Sequence, residues 1–200
     1  MDATGSADVR IAGYDFGTSA SALSPLTFEE LSQVEQTVGW TREDEQLLRK
    51  HAGLFRSQAE EMVGAWRAVI GAQPHLSQGF VGPDGRPDEE YKARVKPRFV
   101  QWVVDVATRP HDRAWLDYQE EIGLRHTPAK KNRTDGGHTP SLVPMRYLLA
   151  FVPVVTDVRP FLSAGIVDAA ELEAVQRAWT KAVHLHVTLW CRAYARDGLW

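Results

Sequence analysis

Imidazole is the side chain best suited to hold a transition metal or to move a proton near neutral pH. The chain carries seven: His51, His75, His111, His126, His138, His184 and His186. His184 and His186 are two residues apart, on different faces of a helix, and do not chelate one metal together. His75 and His111 each follow a proline, Pro74 and Pro110, in loop-like contexts that read as surface. His126 differs. Trp115, Gln119, Ile122 and His126 fall at i, i+4, i+7 and i+11, one stripe of a helix, and Arg125, Lys130, Lys131 and Arg133 lie beside it in sequence. A neutral imidazole aimed from an apolar stripe and rimmed by cations meets the needs of a five-coordinate haem. The ring nitrogen takes the iron, the apolar space takes the porphyrin, and cations such as Arg125 or Lys131 take the propionates. The same residues also fit a plainer arrangement, a solvent-exposed histidine favoured by the dipole at a helix C-terminus, and spacing alone leaves both open.

Other chemistries are excluded by what is missing. There is no GxxxxGK[ST] phosphate loop, no GxGxxG after a strand, no HExxH and no GxSxG. Cys191 is the single cysteine, so neither an internal disulfide nor a paired-cysteine zinc site can form, and the usage suits a reducing cytosol; a cytoplasmic protein is expected. With 23 Lys+Arg against 26 Asp+Glu, the net charge of −3 provides no basic excess to drive nucleic-acid binding. Residues 1–22 lack the charged head and apolar run of a secretory signal. The longest apolar run, Tyr147–Val155, is about half of the roughly 18–20 residues needed to span a bilayer. Seven Trp, five Tyr and seven Phe supply flat apolar groups that fill a core or line a pocket for a flat ligand.

The elements that must position these groups read as helices almost throughout. Residues 1–24 form an N-terminal extension, with a docked segment expected around Tyr14 and Phe16, and 25–200 form one domain. Thr27 with Glu30 is a capping box that opens the first helix, and Gly39 stops it. Thr41 with Asp44 opens the next, whose apolar positions continue to about residue 72 with a bend expected near Gly53 or Gly64. Asp88 starts a helix kinked at Pro97. Asp112 starts a shorter one that ends at His126, and Pro144 begins an apolar helix to about 162 interrupted at Pro153. Asp168 starts the last, running to about Tyr194. No hairpin signal or fixed repeat is present, so the expected architecture is all-α, with six to eight unequal helices packed at crossed, globin-like angles.

Within this frame the stretch Trp115-Leu116-Asp117-Tyr118-Gln119-Glu120-Glu121-Ile122-Gly123-Leu124-Arg125-His126, followed by Lys130-Lys131 and Thr134-Asp135-Gly136, resembles the protoglobins, single-domain relatives of globin-coupled sensors. The likeness extends to Gly13-Tyr14-Asp15-Phe16-Gly17, to Pro144-Met145-Arg146-Tyr147-Leu148-Leu149-Ala150-Phe151, and to Ala178-Trp179 and Leu189-Trp190 in the closing helix. The resemblance implies an expanded globin fold with an extra N-terminal helix, a haem b cofactor, and His126 as proximal ligand to the iron. It further implies Trp66 as the distal tryptophan, Phe99 as the distal phenylalanine, and Leu148 and Phe151 as pocket walls. Without it, each of these rings would read as ordinary core.

The function implied is reversible binding of oxygen, carbon monoxide or nitric oxide, as carrier or sensor, in a homodimer joined by the C-terminal helices. His184, Val187 and Trp190 mark one face of the last helix that either joins two copies or packs within one. One departure stands out. The family typically follows its distal tryptophan with a tyrosine, whereas Arg67 follows Trp66 here. An arginine could replace the lost donor and assist peroxidase-like or nitric-oxide-detoxifying chemistry, the alternative function. The cost of burying an unpaired guanidinium instead points Arg67 outward. Pro97, two residues before Phe99, is a second departure that could move the Phe99 ring.

Overall fold

The computed structural model describes residues 11–196 and residue 200; residues 1–10 of the expected extension lie outside the described residues. The described elements are α1 (Phe28–Val38), α2 (Arg42–Lys50), α3 (Ala52–Ala72), the short α4 (Pro74–Ser77), α5 (Glu89–Thr108), α6 (Arg113–Arg125), α7 (Met145–Thr156), the short α8 (Arg159–Leu162) and α9 (Ala169–Cys191), with two 3-10 turns. Extended pairing among the described residues is limited to one isolated bridge, Val81 with Pro87.

Local chemistry sets most of the boundaries. The Thr27 side chain accepts from the Glu30 amide while the Glu30 carboxylate accepts from the Thr27 amide, and Thr41 with Asp44 repeats the box on α2. Gly39 ends α1 at φ 71°, a conformation costly for any residue with a Cβ. The expected bend falls at His51, two residues before Gly53, where α2 ends and α3 begins. Helix α5 runs through Pro97 without a break in its assigned span, and α7 likewise contains Pro153. The interruption after α7 comes later, at Asp157 and Val158, where Gln176 of α9 takes over both sides of the gap: its Nε2 donates to the Thr156 carbonyl and its Oε1 accepts from the Val158 amide. Asp88, Asp112 and Asp168 each accept a backbone amide at the start of α5, α6 and α9.

Helix α9 is the central element, in contact with α1, α2, α5, α6, α7 and α8, and α3 packs along α5. The core between them is aromatic: Phe55 stacks on Trp179 at 4.9 Å, and Trp66, Trp102 and Trp179 meet in one cluster. Of the α9 face marked in the sequence, Val187 and Trp190 are buried within the protein and only His184 is exposed, so packing inside one copy accounts for the first two. Helices α6 and α9 cross closely at Gly123, where an added methyl would lie 2.9 Å from the Trp190 carbonyl oxygen.

Candidate haem-binding site

A cavity of about 820 Å³ opens among α5, α6, α7 and α9, within the range of roughly 300–1,000 Å³ usual for ligand pockets. Helix α5 gives it Val95, Phe99 and Trp102; α7 gives Leu148, Phe151 and Val155; α9 gives Val187 and Trp190; Ile122 and His126 come from the end of α6. Three of the expected wall residues, Phe99, Leu148 and Phe151, therefore line it. Trp66 stands one ring back: it is 2% exposed, lies 5.6 Å from Phe99 between centroids, and is not among the residues lining the cavity.

His126 sits at the C-cap of α6 with its ring on the cavity wall. Its Nδ1 lies 2.8 Å from the carbonyl oxygen of Ile122. A carbonyl can only accept, so Nδ1 carries the proton and Nε2 carries the lone pair. Nε2 has no hydrogen-bond partner among the described residues. Burial holds the ring's pKa below that of an ordinary histidine; the Ile122 carbonyl opposes this, while the charges of Lys131 and Arg125 add to it. The result is a neutral, oriented imidazole, the form that binds a metal. Trp190 stacks against it at 5.8 Å and 22°, and the Val143 amide donates to the His126 carbonyl while Tyr194 donates to the Val143 carbonyl. The helix end, the following loop and the end of α9 thus fix one ring.

The cations on the wall differ in what they already hold. Arg125 donates to Glu121, to the Gly13 carbonyl and to Asp15, tying α6 to the N-terminal segment. Arg98 makes a two-bonded pair with Asp135 and reaches the Ala12 carbonyl. Among the described residues, Lys131 has no carboxylate within ion-pair distance. It is 5% exposed, its ammonium donates to the Gly79 carbonyl and the Thr139 hydroxyl and lies over the Tyr91 ring, and burial pushes its pKa down to about 8. A buried ammonium with only neutral partners is the electrostatic complement of an incoming carboxylate.

Arg67 is half-buried at the edge of the cavity, where it also borders a smaller pocket of about 200 Å³. Its guanidinium donates to the Lys92 carbonyl on α5, and burial lowers its pKa, with Glu89 opposing. It neither points wholly outward nor projects free into the cavity.

Sequence reasoning missed Arg98, Trp102 and Trp190 as wall residues. Val95, Arg98, Phe99 and Trp102 fall at i, i+3, i+4 and i+7, so one side of α5 carried the signal; for Trp190 the sequence leaves open a face that joins two copies or packs within one. A large apolar slot, a free imidazole nitrogen and a buried unpaired ammonium together fit a flat metal-centred ligand with carboxylate arms. Among the described residues, no group of three or more His, Cys, Asp or Glu side chains could itself cage a metal ion.

Known proteins share this fold. The fold is similar to the globin domain of a Geobacter sulfurreducens globin-coupled sensor, at a TM-score of 0.62 and 15% identity over 82% of this chain and 97% of that one. It is also similar to the globin domain of E. coli DosC in a ferric crystal form, at 0.61 and 13% identity over 82% and 99%. At these identities the likeness is one of fold. No curated protein sequence matches. The model of the Protoglobin family matches residues 27–200, which takes in every helix from α1 to α9, and the chain therefore belongs to the protoglobin family of haem globins.

Proposed function

We propose that the cavity holds haem b with Nε2 of His126 as the axial ligand, and that the protein binds oxygen, carbon monoxide or nitric oxide reversibly as a carrier or sensor. The carrying observation is the His126 ring itself: Nδ1 is occupied by the Ile122 carbonyl and Nε2 is left without a partner on an apolar wall. When bound, the haem supplies an iron centre able to take a diatomic gas. Phe99, Leu148 and Phe151 exclude water from the macrocycle, Trp190 holds the ligating ring in plane, and Lys131 neutralises a propionate. Trp66 acts from behind, by positioning Phe99. Arg125 belongs to the latch that closes the N-terminal segment over α6.

His126→Ala is expected to abolish the ferrous carbon-monoxide spectrum of a five-coordinate histidine-ligated haem, and added imidazole to restore part of it. Retention of the wild-type spectrum by the variant would remove the ligand assignment. The enzymatic alternative rests on Arg67, whose tie to the Lys92 carbonyl favours a supporting part at the cavity edge. Equal, background-level peroxide turnover in wild type and Arg67→Ala would end it. The same reading has two copies pairing through the C-terminal helices, with α7 supplying Met145 and Leu149, exposed by 41% and 49%, and α9 its exposed side at His184. Cytoplasmic residence accords with the single cysteine and with the lack, among the described residues, of any helix long and apolar enough to cross a membrane.

A further inference from the structure

Beyond the cavity wall, the rings do not end as a plain apolar core would. Trp190 and Trp102, both on the wall, lie 5.7 Å apart; His186 follows at 5.9 Å from Trp102, Trp115 at 5.3 Å from His186, His111 at 3.9 Å from Trp115, and Trp40 at 5.2 Å from His111. Indole and imidazole alternate from the interior outward, through Trp115 and His186 at 1% exposure each, to a half-buried Trp40. His186 is a costly residue for filling space. Its Nε2 is buried without a hydrogen-bond partner, a penalty that phenylalanine would avoid, and its Nδ1 accepts from Trp102 Nε1 at 2.9 Å. At the outer end the carboxylate of Glu35 lies 2.6 Å from His111 Nδ1.

We propose that Trp102, His186, Trp115, His111 and Trp40 form an electron conduit that protects the cavity, delivering electrons from a one-electron donor in solution to a haem oxidised by peroxide. The proposal rests on the haem reading given above. In each passage Trp102 loses one electron to the oxidised centre and regains one from Trp115 across the His186 ring, Trp115 regains one from Trp40 across the His111 ring, and Trp40 is finally reduced by an ascorbate- or phenol-class donor. Two passages, with two protons from solvent, reduce one hydrogen peroxide to two waters and leave every ring as it began. Three features suit the rings to this work. The Trp102 N–H donates to the neutral His186 Nδ1, a hydrogen bond that strengthens as the ring is oxidised and so eases removal of the electron. Burial holds His186 well below an ordinary histidine's pKa, so no fixed positive charge stands midway to repel the migrating hole. Glu35 places a negative charge at the surface end, which draws the hole outward, away from His126.

The test uses the full chain loaded with haem, treated with hydrogen peroxide and with ascorbate as donor. Freeze-quenched electron paramagnetic resonance should show an indole radical, and peptide mass spectrometry of samples lacking ascorbate should find oxidation at Trp40. Trp115→Phe should lower both Trp40 oxidation and ascorbate consumption by about tenfold or more while leaving the carbon-monoxide spectrum unchanged. Trp40→Phe, nearer the surface and only half-buried at the edge of the core, should lower ascorbate consumption by a similar factor even if the first variant folds poorly. Wild-type protein with Trp40 unmodified, or both variants consuming ascorbate at the wild-type rate with their haem spectra intact, would overturn the conduit and leave the haem reading standing. A chain that takes up no haem at all would sink both.

Discussion

Lys131 and Arg125 are six residues apart and carry the same charge, yet their surroundings give them different work. Arg125 is held by two carboxylates and a carbonyl, whereas Lys131 has only neutral partners. A pKa lowered to about 8 in the free protein makes haem binding a proton-linked event. A propionate against the ammonium favours its charged form, so above pH 8 the free protein must take up a proton as haem binds. Haem affinity should therefore fall as pH rises beyond 8, by up to about tenfold per pH unit, and Lys131→Met should flatten that part of the profile. The stability of the haem-free chain moves the opposite way: between about pH 8 and the ordinary lysine value of 10.5 the unfolded chain holds the extra proton, so stability rises with pH across this window. Measuring haem transfer to a competing apoprotein between pH 7 and 10 checks the first, and a pH-independent affinity would rule out Lys131 as a propionate partner. The basic cluster was legible in the sequence, but the choice within it was not, because two of the three partners that occupy Arg125 come from residues 13 and 15, more than a hundred positions away.

Helix ends were the most legible elements. A capping box needs only four consecutive residues, and Thr27–Glu30 and Thr41–Asp44 close where their spacing requires. Helix crossings were not legible, and α6 against α9 shows why. Gly123 reads as a helix-weakening residue until Trp190 is found with its carbonyl oxygen 2.9 Å and its Cα 3.1 Å from where a methyl would sit. Both are backbone atoms, which cannot step aside as a side chain would. Gly123→Ala should cost about 1–3 kcal/mol by overpacking, read as a fall of several degrees in Tm. It should also shift the haem absorption bands, since Trp190 stacks on His126. An alanine variant with unchanged Tm and spectrum would show that the two helices can separate freely.

At the scale of the molecule, α9 spends most of its surface inside: it closes the cavity with Val187 and Trp190 and carries Trp190 and His186 of the ring series. In the pairing proposed above, α7 supplies exposed apolar contact through Met145 and Leu149. Leu149→Glu should convert a dimer to a monomer in sedimentation while leaving the haem spectrum in place, because Leu149 is not among the residues lining the cavity. A wild-type chain that sediments as a monomer at micromolar concentration would dismiss the pairing.

By itself the sequence determined the all-helical class, the helix starts, the place of His126 at a helix end and the protoglobin motifs, since each depends on residue types a few positions apart. Tertiary structure alone decided that Trp66 stands behind Phe99, that Arg67 is tied to α5, that Arg125 is a latch while Lys131 stays unpaired, and that Trp190 faces inward. Those outcomes depend on which helices cross and how closely, and close packing leaves a side chain only the partners and space that distant segments bring to it.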